Sequence, residues 1–79
     1  MSPADQTLWE ALRECRRQLA TEQNLPPYVI FHDATLREMA RLRPSSMTSL
    51  MTVKGVGARK AEDLGGIFLE AIRAHGLSA

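Results

Sequence analysis

Cysteine is almost missing from this chain of 79 residues: Cys15 stands alone. An internal disulfide and a cysteine-based zinc site are therefore excluded. Aromatic residues are scarce, at 5%. Neither sign of charge dominates, with 10 Lys and Arg against 9 Asp and Glu and a net charge of +1. That balance excludes a polyanion-coating protein and confines any nucleic-acid site to a local patch. No apolar run approaches the roughly 20 residues of a membrane span. The start, Met1-Ser2-Pro3-Ala4-Asp5, has neither the basic end nor the apolar middle of a signal peptide. A soluble chain in a reducing, cytoplasmic setting is expected. Alternating strand patterns, internal repeats and low-complexity tracts are also missing.

The usual chemical signatures are missing too. Gly55-Val56-Gly57-Ala58-Arg59-Lys60 begins like a dinucleotide fingerprint, but Lys60 occupies the third glycine position and no strand precedes it. The stretch also fails the phosphate-loop pattern. His32 and His75 are far apart with nothing nearby to complete a metal set. Cys15 reads as a small core residue. Glu62 and Asp63 are adjacent on a helix and so do not face each other. With no nucleophile–base arrangement, the chain is expected to be no enzyme and to carry no metal or cofactor.

What is present is an ordinary globular balance of 44% apolar and 24% charged residues. It predicts one small domain over 1–79, with its core over about 8–75. A first helix is predicted over about 3–23, opened by Ser2 and Pro3, with an apolar stripe of Leu8, Leu12, Cys15 and Leu19. Pro26-Pro27 ends it. Tyr28-Val29-Ile30-Phe31 has no strand to pair with, so a turn of helix plugging the core is expected. Asp33 is the predicted cap of a helix over about 34–43, with Leu36, Met39 and Ala40 facing inward. Ser45 or Ser46 caps a short helix carrying Met47, Leu50 and Met51. A last helix runs over about 58–75, where Gly65-Gly66 predicts a bend or break and Gly76 a C-cap. The fold class is all-α, a bundle of four to five short helices.

The turn Val53-Lys54-Gly55-Val56-Gly57 between two helices resembles a helix-hairpin-helix element. Its glycines permit positive φ and close approach of another backbone. The unpaired N–H groups that open the following helix suit a phosphate, and Lys54, Arg59 and Lys60 add charge beside them. Such contacts read the nucleic-acid backbone and not the base sequence. The alternative is a turn that only packs two helices together.

A longer set of residues carries a more specific resemblance. Leu12-Arg13, Arg16, Leu19-Ala20, Pro26-Pro27-Tyr28-Val29-Ile30-Phe31-His32-Asp33-Ala34-Thr35-Leu36, Met39-Ala40, Arg43-Pro44, Leu50, the Gly55-Val56-Gly57 turn, Lys60 and Ile72 together resemble the HRDC domain, the helicase and RNase D C-terminal module. The likeness covers about residues 8–75 and is strongest to the HRDC domains of bacterial RecQ DNA helicases. It implies a monomeric accessory module that binds DNA weakly, single-stranded or at junctions, and tunes which structures a RecQ-type motor engages in repair and recombination. ATP and magnesium would belong to that motor, in a bacterial, nucleoid-associated setting. The alternatives are a module that docks on protein, including the parent motor, or one that positions RNA in an RNase D-like nuclease.

The resemblance makes Tyr28 the first candidate for single-strand contact. An aromatic ring held by two prolines is a rigid platform, and a stacked base contributes about 1–3 kcal/mol whatever its identity. Arg13, Arg16 and Arg17 on one flank of the first helix are the second candidates, although Glu10 and Glu14 are spaced to pair with Arg13 and Arg17. Lys54, Gly55, Gly57, Arg59 and Lys60 at the hairpin turn are the third. Arg37 and Arg41 rank lower because Glu38 lies beside them. Trp9, next to Leu12, reads as core-edge packing in preference to a base platform.

Overall fold

A computed structural model describes residues 2–76 and contains five helices: α1 (Pro3–Gln23), α2 (Pro27–Ile30), α3 (Asp33–Leu42), α4 (Met47–Leu50) and α5 (Ala58–Gly76). No strand occurs among the described residues. The all-α class is therefore as the sequence implies.

Ser2 opens α1 by accepting the Asp5 amide N–H on its hydroxyl oxygen at 3.1 Å. Asn24 closes it in the left-handed conformation, at φ 58° and ψ 44°. The buried face of α1 differs from the expected stripe. Leu8, Leu12, Arg16 and Ala20 are buried, while Cys15 and Leu19 pack half-buried against the cluster's edge. A four-residue step follows the helical face, and a charged residue occupies the third inward position because its guanidinium finds partners there. Half-burial still pushes the Cys15 thiol above its usual range.

Pro27 starts the single turn of α2. Ile30 and the following Phe31 enter the core at 2% and 1% exposure. Asp33 is not the cap of α3 that the sequence predicted. His32 holds the cap position without a side-chain hydrogen bond, and Asp33 is the first helical residue. Leu36, Met39 and Ala40 face inward, joined by Thr35. Arg43, at φ 47°, ends α3 before Pro44.

Ser46 and Ser49 form a reciprocal cap at the start of α4. Leu50 is the fully buried residue of this helix, while Met47 and Met51 stay partly exposed. The α4–α5 connection turns at Gly55, where φ is +94°. A Cβ at Gly55 would lie 2.2 Å from Thr35 Oγ1, so the position needs glycine both for its backbone and for its space. Gly57 has no such need: its φ is not positive and a Cβ there would meet nothing.

Gly65-Gly66 neither breaks nor ends α5, which runs unbroken from Ala58 through Gly76. Gly76 thus belongs to the helix and does not follow it. Gly65 is buried where α5 passes α4; a Cβ there would lie 2.9 Å from Met47 Sδ and 3.0 Å from Leu50 Cδ2. Close packing on α4 supplies the energy that helix propensity lacks at this pair. α1 packs along both α3 and α5. The core closes around Phe31 and Phe68, whose rings meet edge to face at 5.1 Å.

Candidate nucleic-acid interface

The segment around Tyr28 has two faces. Ile30 and Phe31 point into the core, while Tyr28 and Val29 are 60% and 40% exposed. A four-residue helix has little stability of its own, and here two cations from distant helices hold it. From α1, Arg16 donates to the Phe31 carbonyl at 2.8 Å and pairs with Asp33 at 2.7 Å. From α5, the Lys60 ammonium donates to the Val29 carbonyl at 3.0 Å and lies 5.5 Å from the centre of the Phe31 ring. The exposed phenol is thus carried by a turn whose Val29 and Phe31 carbonyls are both held by cations. The His32 ring lies 6.2 Å from it at an angle of 27°.

Lys60 connects this turn to the hairpin. Gly57 accepts the Ala61 N–H at 2.9 Å, so α5 begins there with its first amides free of intrahelical partners. Lys54 is exposed and borders a shallow depression with His32, Thr35, Glu38 and Gly55. The Arg59 side chain is 94% exposed, and its 3.9 Å approach to Asp63 is loose. Lys60 thus reaches the Tyr28 turn through Val29, while Lys54 and Gly55 border the depression they share with His32.

The three α1 arginines border one depression with Glu10, Glu14 and Pro27, but each is engaged differently. Arg16 is buried at 8% exposure and faces the protein, where it holds Asp33 below the usual carboxylate range through a charged hydrogen bond. Arg17 is held by Glu14 through its Nε and one terminal nitrogen. Arg13 turns to Trp9, with its guanidinium carbon 4.8 Å from the ring centre, and does not pair with Glu10. Through Pro27 the depression brings α1 to the start of the Tyr28 turn.

Sequence reasoning ranked Arg37 low, yet it shares the Trp9 ring with Arg13, at 5.1 Å. Arg41 instead pairs with Glu38. No periodicity signals a contact between helices so far apart in the chain. Among the described residues no group of three His, Cys, Asp or Glu side chains is placed to hold a metal.

Known proteins place these features in context. The family model described as the HRDC domain matches residues 5–72. The chain is 42% identical over 71 residues to an ATP-dependent DNA helicase RecQ of Haemophilus influenzae, covering 90% of this chain and 12% of the helicase. It is 43% identical over 68 residues to the RecQ helicase of Bacillus subtilis, covering 86% of this chain and 12% of that protein. An ATP-dependent DNA helicase UvrD2 of Mycobacterium bovis is 41% identical over 69 residues, covering 87% of this chain and 10% of that protein. The solved structure of D. radiodurans RecQ HRDC domain 3 superimposes with a TM-score of 0.86 at 37% identity, covering 89% of this chain and 92% of that one. The chain thus spans about a tenth of the length of the helicases it matches.

Proposed function

The chain belongs to the HRDC domain family, and from that premise we propose that it is the accessory nucleic-acid-binding module of a RecQ-type helicase. It binds single-stranded or junction DNA weakly and tunes which DNA structures the motor engages in repair and recombination. ATP hydrolysis belongs to the motor domain, and this chain contributes contact surface.

The observation that carries this reading is the exposed Tyr28 ring on a turn fixed by Arg16 and Lys60. A ring that needs no ordering on binding retains most of the stacking energy it gains. Lys54, Arg59 and the unpaired amides after Gly57 supply phosphate contacts next to it, with Gly55 shaping the turn. Arg13 and Arg17 extend the cationic surface past Pro27. Arg16 acts indirectly, as a positioning residue. Few phosphate contacts make the binding weak and steeply dependent on salt.

An amide-shift NMR titration of the chain with a short single-stranded DNA, at low and then moderate salt, tests the proposal. Shifts are expected at Tyr28, Lys54 and residues 57–60, fading as salt rises. Tyr28→Ala is expected to weaken binding about tenfold while leaving the melting temperature within a few degrees, since most of the ring is in solvent. Absence of shifts at low salt overturns the proposal and turns attention to docking on the motor.

A further inference from the structure

Six of the arginines already have carboxylate partners: Arg16 with Asp33, Arg17 with Glu14, Arg41 with Glu38, Arg43 with Asp5, Arg59 with Asp63 and Arg73 with Glu70. Among the described residues, Arg13 and Arg37 are the arginines without one. Both are exposed, and both lie over the ring of Trp9, the sole tryptophan, at 4.8 Å and 5.1 Å. The two guanidinium carbons are thus brought onto one indole from α1 and α3. Their charge also reaches Asp33, whose carboxyl each helps to depress, but that carboxylate is already engaged by Arg16.

A guanidinium stacked on an aromatic face keeps its in-plane N–H donors free and gives up much of its side-chain freedom. Two such groups with uncompensated charge make a preorganised anion site. The indole itself is no base platform, because two guanidinium groups already lie over it and its N–H is buried. We propose that Arg13 and Arg37, oriented by Trp9, form a second contact site for nucleic-acid backbone phosphate. Asp33 and its neighbour His32 link this site to the Tyr28 turn through Arg16. A strand stacked on Tyr28 is thereby continued towards α1 and α3. The inference rests on the nucleic-acid reading of the domain and adds Arg37 to its surface.

The test is a titration of the chain with a short oligothymidine strand, followed by Trp9 emission and repeated over a range of salt. Binding is expected to change the emission in the native chain and, at lower affinity, in Tyr28→Ala. Arg37→Gln and Arg13→Gln are each expected to weaken binding roughly tenfold and to lower the slope of log affinity against log salt by about 0.7, the contribution of one single-strand phosphate. Arg41→Gln, which removes a paired charge, is expected to stay within about twofold. Circular dichroism checks that each variant is folded; should Arg37→Gln unfold, Arg37→Lys decides, with an expected intermediate loss.

An unchanged affinity and salt slope in both Arg37 and Arg13 variants overturns the site while leaving the role of Tyr28 intact. A loss in Arg41→Gln as large as in Arg37→Gln overturns it equally, since bulk charge would then explain the effect. No binding by the native chain overturns the site and the nucleic-acid reading together.

Discussion

Arg16 shows how one nearly buried charge can organise the surface around it. Its guanidinium satisfies the Phe31 carbonyl and neutralises Asp33 at the start of α3. Removing it leaves the buried Phe31 carbonyl without its partner while Asp33 keeps its contact with water, so Arg16→Met is expected to cost about 1–3 kcal/mol. Thermal unfolding by circular dichroism should then show a fall on the order of 10 °C in a domain of this size. Asp33 sets a pH dependence of definite sign. Its carboxyl is held below the ordinary range in the folded state, chiefly by the Arg16 hydrogen bond. That contribution is present at neutral pH and is lost as pH falls below about 4 through the folded value. The Asp33 side chain is 54% exposed, so solvent keeps the effect modest. Asp33→Asn is expected to flatten the acid limb of a melting-temperature profile; an unaltered limb would remove Asp33 from that role. Gly55→Ala meets both a positive φ and the Thr35 hydroxyl. A loss of about 2–4 kcal/mol in denaturant unfolding is expected.

At the scale of elements, the paired glycines of α5 separate into two different residues. Gly66 faces open space, and Gly66→Ala is expected to stabilise the helix by about 0.5–1 kcal/mol. Gly65 lies against Met47 and the buried Leu50, so Gly65→Ala is expected to destabilise instead. Equal effects of the two substitutions in urea unfolding would contradict the packing described here. The same pair shows what the sequence could and could not disclose. Prolines, capping serines and helical spacing located the helices, because those signals act within a few residues. The continuity of α5 was hidden, because it depends on a neighbour from α4 that makes a poor helix former suitable. Cys15 and Arg16 were exchanged for a related reason. Hydrophobicity alone favours the thiol, while the Phe31 carbonyl and Asp33 that welcome a guanidinium lie on another part of the chain. Tyr28 and the hairpin turn were legible because prolines and glycines announce them. The Trp9–Arg37 contact was not, since its partners come from two helices with no shared pattern.

Over the whole molecule, stability has little reserve. A domain of this size is worth about 4–12 kcal/mol, and Phe→Ala in a core costs about 3–5 kcal/mol. Phe68→Ala, which removes half of the edge-to-face pair with Phe31, is therefore expected to leave a substantial unfolded population at 37 °C, measurable as lost helicity and lost amide dispersion. Such a loss would also release the Tyr28 turn, because Phe31 anchors it. The packing of the first long helix against the last has a consequence during synthesis. Leu8 and Leu12 leave the ribosome early, but Phe68 and Ile72 complete the same core only when nearly all of the domain has been made. The nascent chain must therefore wait, with its first apolar face unmet, until α5 emerges. A chain halted before Phe68 would present that face to chaperones, and the tyrosine turn would acquire its fixed geometry only after the last helix arrives.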